Sequence, residues 1–214
     1  MDAGQRELSD EIDQATQRLL DAARVITEPD LRAPSLLPGW SRAHVLAHLA
    51  RSADAMRNLM VGLIYDQDRP AYASAQARDE QIEASAGQQA PELMADLAGS
   101  AMALRTIARR LPDEQWQAPV RVLDSAPFPA AQLLTRRLVE VELHHCDLGV
   151  GYGPDDWPAA FAGLELAEPM RSQRQDRIEA ARTSPPVKYE PQARPTPPYR
   201  TGQPLPGSLL RRGN

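Results

Sequence analysis

All four histidines of the chain fall into two short segments, and each segment has the apolar spacing of a helix. His44 and His48 are four residues apart in SRAHVLAHLARSADA. His144 and His145 are adjacent in RRLVEVELHHCDLG, where Glu140 precedes His144 by four residues. Because residues four apart lie on one helix face, Glu140 and His144 are predicted to project side by side. Imidazole and carboxylate groups in this arrangement are typical ligands of a divalent metal ion.

A helical wheel at about 100° per residue separates the histidines by orientation. On the later helix, Glu140 and His144 lie on one flank of the apolar face, whereas Glu142 points well away from it. On the earlier helix, His48 lies closer to the apolar face than His44 does. We therefore expect His48, Glu140 and His144 to converge inside a helical bundle.

Two imidazoles and one carboxylate are the ligands of a catalytic zinc site, which keeps a further position open for water or substrate. A structural zinc site would be expected to use four ligands, commonly cysteines, and the chain has only Cys146. The same ligands bind other divalent ions, so the sequence predicts a metal more firmly than it predicts zinc. The alternative is an ordinary surface or core pair, because Glu and His at this spacing are frequent in helices.

The remaining polar residues of the two segments have alternative roles. His44 is predicted to cap a helix or face a loop, and His145 is predicted to pack in the core. Cys146 is either a nucleophile or a small buried hydrophobic residue, and a lone helical cysteine is more often the second. Arg137 lies on the same side of its helix as the predicted ligands, where it either pairs with Glu140 or binds an anionic ligand.

The elements that position these residues are predicted to be helices, because apolar residues recur at spacings of three and four. The long helices are expected over residues 7–27, 42–64, 91–110 and 130–148, with a shorter helical piece over 75–86. Four long helices that each carry one apolar stripe indicate an all-α four-helix bundle.

Composition excludes several classes of protein. A hydrophobic fraction of 42% supports a folded core, and an aromatic fraction of 5% argues against an all-β fold. The net charge of −5, with arginines interspersed among acids, disfavours a nucleic-acid partner. No apolar stretch reaches the length of about 18 residues that a membrane span needs. The polar N-terminus is unlike a signal peptide, so a cytoplasmic protein is expected.

The helical spacing of apolar residues is lost after Trp157, and residues 185–206 contain eight prolines in 22 positions. Such a segment cannot build a core and is expected to be extended or poorly ordered. The chain is therefore divided into a four-helix bundle over residues 1–165 and a Pro-rich tail over residues 166–214.

Three segments together carry a resemblance to a known family. They are LPGWSRAHVLAHLARSADA, ARDEQIEASA and RRLVEVELHHCDLGVGYGPDDWP. Over roughly residues 5 to 165 the chain resembles the mycothiol-dependent maleylpyruvate isomerases, which belong to the DinB-like metal-binding four-helix bundles. The resemblance implies metal ligands at His48, Glu140 and His144 and a functionally important arginine, for which Arg78 is the closest match. The alternative for Arg78 is a solvated surface arginine. Family members continue into a small α/β domain, and residues 166–214 either replace that domain or are a degenerate form of it.

The resemblance also implies an activity. A divalent metal, most simply Zn²⁺, would lower the pKa of the thiol of mycothiol, whose thiolate would catalyse cis–trans isomerisation of maleylpyruvate to fumarylpyruvate. Arg78, and alternatively Arg137, would bind a substrate carboxylate or stabilise the enolate. Two other functions stay open: a mycothiol S-transferase acting on another electrophile, and a non-catalytic metal-binding bundle. A homodimer is possible, and no membrane partner is expected.

Overall fold

Eight α-helices account for most of the residues that the computed structural model describes, which are residues 1–184 and Tyr189. They are α1 (Ala3–Arg24), α2 (Glu28–Arg32), α3 (Arg42–Tyr65), α4 (Ala75–Ala86), α5 (Ala90–Ala108), α6 (Gln132–Asp147), α7 (Ala159–Ala162) and α8 (Met170–Thr183). Short 3-10 turns at Asp113–Gln117 and Pro154–Asp156 and an antiparallel pair, β1 (Pro119–Val120) with β2 (Phe128–Pro129), complete this part of the chain. None of the helices described is long and apolar enough to span a bilayer.

The four long helices α1, α3, α5 and α6 form the bundle. Helix α3 packs against α5 and α6, and α1 packs against α6 and α5, while α4 covers α3. The predicted all-α four-helix bundle is confirmed, because each long helix contributes fully buried apolar side chains such as Leu19, Leu49, Leu97 and Leu138.

One polar layer divides the apolar core into two parts. Leu46 and Leu49 of α3 pack with Leu138 of α6 in one cluster, and Met56 of α3 packs with Leu134 of α6 in the other. Between the two clusters Arg137 of α6 forms hydrogen bonds to Leu49 and Ser52 of α3.

Helix boundaries follow capping residues more closely than the apolar stripe. Helix α1 begins earlier than expected because Asp2 and Gln5 form a reciprocal capping box. It ends at Arg24 because Thr27 caps the short helix α2, which has Pro29 in its first turn. The segment between the predicted helices 7–27 and 42–64 therefore begins with a helical turn. Ser41 caps α3.

Helix α8 lies within residues 166–214, where the sequence predicts a tail. Periodicity misses this helix because Met170 is its only fully buried residue and its surface is otherwise polar. It nevertheless packs on α6. Except for Tyr189, the Pro-rich segment beyond residue 184 lies outside the described residues, so its poor order and the boundary at 165 stay predictions.

Replacing Leu97 by Ala is expected to lower the free energy of unfolding by about 2–5 kcal/mol, because it leaves a cavity between α5 and the core. Urea denaturation measures this loss. Met102→Ala on the same helix is the matched control. The Met102 side chain is 69% exposed, so its truncation is expected to change stability by no more than about 0.5 kcal/mol. Equal losses in the two variants would contradict the orientation of α5.

Cys146 on α6 is 5% exposed, and burial raises the pKa of its thiol to about 12. Because only an accessible thiolate attacks a disulfide reagent, Ellman's reagent is expected to react slowly with the folded protein and rapidly after denaturation in guanidinium. The measurement is the absorbance of the released thionitrobenzoate with time. Rapid stoichiometric reaction of the folded chain would contradict the buried position and reopen the interpretation of Cys146 as a nucleophile.

Candidate metal centre

Side chains from two helices meet at one point inside the bundle. His48 comes from α3, and Glu140 and His144 come from α6; one ligand atom of each lies within 4.8 Å of the others. His48 Nε2 is 2.8 Å from Glu140 Oε2, and His144 Nε2 is 3.6 Å from the same oxygen. The structure thus brings the three predicted ligands together, and their binding of a metal stays a prediction.

The start of α3 fixes the depth of His48 in the bundle. Ser41 accepts a hydrogen bond from the backbone N–H of His44, and the ring Nδ1 of His44 accepts one from the Ser41 N–H. His48 follows one turn later and is 8% exposed, with the ring of Trp40 against it at 5.4 Å between centroids. His44 is therefore a capping residue, as one of its two predicted roles stated.

Asp147 orients the ring of His144 from the opposite side. His144 Nδ1 lies 2.8 Å from Asp147 Oδ2, and the carboxylate is almost fully buried. A hydrogen bond from Nδ1–H to a carboxylate leaves Nε2 directed at Glu140 and His48, which is the usual way in which metal-binding histidines are oriented. The sequence analysis missed Asp147, although its position three residues after His144 was a visible signal.

The charges of the cluster favour an ionised carboxylate between the two imidazoles. Burial alone would raise the pKa of Glu140, but the charges and hydrogen bonds of His48 and His144 outweigh it and hold this pKa well below its usual range. Burial opposes the charging of His144, but hydrogen bonds to Asp147 and Glu140 raise its pKa to about 9. With this raised pKa the ring of His144 is protonated at neutral pH, so a metal ligated through Nε2 would have to displace the proton from that nitrogen.

Arg78 of α4 has 29% of its side chain exposed and pairs with Asp79 at 2.9 Å. Tyr72, in the loop before α4, interacts electrostatically with both Arg78 and Glu140. Burial raises the pKa of Tyr72 to about 12 against the opposing charge of Arg78, and the charge of Glu140 adds to the rise. Tyr72 is a neighbour of the site that the sequence analysis missed.

Arg137 is fully buried in the polar layer between the two core clusters. Its Nη1 donates to the backbone carbonyl of Leu49 at 2.8 Å and to Ser52 Oγ at 3.1 Å. Burial lowers the pKa of its guanidinium to about 10, so the group is still cationic at neutral pH. These bonds join α6 to α3 directly beside His48. A contact of Arg137 with a bound cofactor stays a prediction.

Glu142 corrects one orientation given by the helical wheel. It is 1% exposed, pairs with Arg18 of α1 at 2.6 Å and accepts a hydrogen bond from Tyr152. The wheel had turned it away from the apolar face, but α1 and the chain after α6 cover that side too. His145 packs in the core as predicted, stacked on Tyr152 with ring centroids 3.7 Å apart.

An open cleft of about 900 Å³ runs between the end of α3, the loop before α4 and the β1–β2 pair. Tyr72 is on its wall, with Arg69 and Arg121 further out. The cleft does not include His48, Glu140 or His144 in its lining. Tyr72 thus lines the cleft, and the charge of Glu140 acts on its hydroxyl group.

Comparisons with known proteins agree with this arrangement. The family model of the mycothiol maleylpyruvate isomerase N-terminal domain matches residues 12–149. The crystal structure of the mycothiol-dependent maleylpyruvate isomerase is 27% identical with a TM-score of 0.69, over 73% of this chain and 65% of that chain. A crystal structure of a histidine-to-alanine mutant of that isomerase is 26% identical, with the same TM-score and coverage. No curated protein matches.

The chain thus spans 65% of the length of these solved isomerases, less than two thirds. The family match contains α3 and α6 and therefore all three side chains of the cluster. Because that match extends over well over half of the sequence, the chain belongs to the mycothiol maleylpyruvate isomerase N-terminal domain family.

Proposed function

We propose that the chain catalyses the cis–trans isomerisation of maleylpyruvate to fumarylpyruvate with mycothiol as the thiol and a divalent metal at His48, Glu140 and His144. The observation that carries the proposal is the meeting of these three side chains within 4.8 Å on a bundle of this family. Similarity to solved isomerases that the chain covers over 65% of their length supports the thiol and the substrate. The proposal places the protein in the cytoplasm with its thiol.

The donor set fits a divalent metal. Two imidazole nitrogens and one carboxylate oxygen are the ligand types of catalytic zinc sites, and zinc is therefore the metal we propose. Bound there, the metal supplies Lewis acidity that lowers the pKa of a thiol at an open coordination position. Asp147 supports the assignment, because its bond to His144 Nδ1 leaves the Nε2 lone pair for a ligand role.

We assign to Arg78 the role of binding the negatively charged groups of the substrate. Its partly exposed guanidinium interacts with Tyr72, on which the charge of Glu140 also acts, and a guanidinium can bind a carboxylate bidentately. When the thiolate adds to the alkene carbon β to the ketone, a C–S bond forms and the alkene electron pair moves to the enolate oxygen. Arg78 stabilises that oxygen while the new single bond rotates. The electron pair then returns, the trans double bond forms and the C–S bond breaks.

Two alternatives share these residues. A mycothiol S-transferase would add the same thiolate to another electrophile and retain the adduct, so product analysis separates it from the isomerase. The other alternative is a non-catalytic metal-binding bundle; the match to the solved isomerases covers 65% of their length. Metal binding without thiol-dependent turnover on any electrophile would support this second alternative.

His48→Ala is expected to abolish the binding of about one equivalent of zinc, because it removes one of the three proposed protein ligands. Elemental analysis of protein purified without chelator measures the metal content. His44→Ala is the matched control, since this histidine on the same helix bonds to Ser41 and to Glu83 instead. A zinc-free parent that fails to take up added zinc would remove the proposed mechanism.

Arg78→Gln is expected to lower kcat/KM by about 100-fold, because the variant loses a charged donor to the developing enolate. Steady-state assays with maleylpyruvate and mycothiol measure the loss, and Arg78→Lys should restore part of it. Arg110→Gln, at an exposed arginine beyond the end of α5, is the control for lost surface charge. Metal content should stay at the parent's value in all three variants. Unchanged turnover in Arg78→Gln would contradict the assignment.

A further inference from the structure

Helix α8 lies beyond residue 149, where the family match ends, yet it packs against the ligand-bearing helix α6. The contact is made near the C-terminal end of α6, which contains His144 and Asp147. A helix from outside the matched domain therefore reaches the candidate metal centre.

Arg177 of α8 forms the polar part of this contact. Its Nε donates to Asp147 Oδ1 at 3.1 Å, and its Nη2 donates to Asp147 Oδ2 at 2.8 Å. The pair is sheltered, since the side chain of Arg177 is 21% exposed and that of Asp147 is 5% exposed. Such a bidentate ion pair fixes the plane of the carboxylate as well as its position.

The same carboxylate oxygen connects Arg177 to the metal centre. Asp147 Oδ2 is 2.8 Å from Arg177 Nη2 and also 2.8 Å from His144 Nδ1. The three side chains thus form a hydrogen-bonded row from α8 to the ring whose Nε2 faces Glu140.

We propose that Arg177 is a positioning residue of the metal centre, which acts through Asp147 to orient His144. This inference rests on the proposed metal site. Without Arg177, a buried carboxylate keeps only one strong partner, and its plane is no longer fixed from the far side. The ring of His144 then loses its fixed orientation, and the protein binds the metal less tightly. The segment after residue 149 thereby contributes to metal affinity while supplying no ligand.

A simpler role for Arg177 is to dock α8 on the bundle. The chain offers a matched control for that role in Arg174, one turn earlier on the same helix. Arg174 Nη1 donates to the backbone carbonyl of Phe161 at 2.8 Å, and its guanidinium lies 5.8 Å from the centroid of the Phe161 ring. Loss of Arg174 weakens the docking of α8 and leaves the bond between Asp147 and His144 untouched.

The experiment compares zinc affinity in the full-length parent and its variants by competition with a chromophoric chelator at constant pH. Arg177→Gln is expected to weaken zinc binding by about 10- to 100-fold, the usual effect of losing such an outer partner. Arg174→Gln should bind zinc as the parent does, and Arg177→Lys should recover part of the affinity through one remaining bond. Asp147→Asn should weaken binding similarly, and adding Arg177→Gln to it should cause little further loss.

Absorption of the Co²⁺-substituted proteins gives a second readout, because the ligand-field bands report the geometry around the ion. Changed bands in Arg177→Gln and parent-like bands in Arg174→Gln are expected. Equal zinc affinity in Arg177→Gln and the parent would overturn the inference and leave the metal centre standing, as would equal losses in Arg177→Gln and Arg174→Gln. A parent that binds neither Zn²⁺ nor Co²⁺ would overturn the metal centre and this inference together.

Discussion

The register between α3 and α6 is the constraint on which the candidate site depends. His48 lies on one helix and Glu140 on the other, so a small slide of either helix would separate their 2.8 Å contact. Arg137 fixes that register. It is less than one turn before Glu140, and it bonds to the carbonyl of Leu49, the residue after His48. The hydrogen bond from Arg137 to Leu49 and the candidate site therefore use neighbouring residues on both helices.

The polar layer has an energetic cost that the apolar layers offset. A buried guanidinium and buried carboxylates lose hydration, and hydrogen bonds and neighbouring charges offset part of that cost. Glu140 lies between two imidazoles, Arg137 bonds to Leu49 and Ser52, and Asp147 bonds to His144 and Arg177. The leucine-rich clusters on either side of Arg137 supply the stability that lets the centre of the bundle carry charge.

The helices and the meeting of His48, Glu140 and His144 could be predicted because both follow from helical periodicity, which is a local property of the sequence. The i and i+4 spacing placed Glu140 beside His144, and the apolar stripe turned His48 inward. The partners of Glu142 and Asp147 could not be predicted in this way. Arg18 and Arg177 are 124 and 30 residues away from them, and contacts over such distances depend on how helices pack rather than on any local pattern. Helix α8 was missed for a different reason, because its mostly polar surface gives no apolar stripe.

The residues that support the candidate metal centre are not all in the domain that supplies its proposed ligands. All three proposed ligands lie within residues 12–149, and the predicted division at residue 165 would keep them together. Arg177 lies on the far side of that division and still bonds to the carboxylate that orients His144. A chain ending at residue 165 would therefore retain every ligand atom while Asp147 lost two of its hydrogen bonds. In this protein the region after the matched domain bears on the site through electrostatic support, which a comparison of ligand residues alone does not reveal.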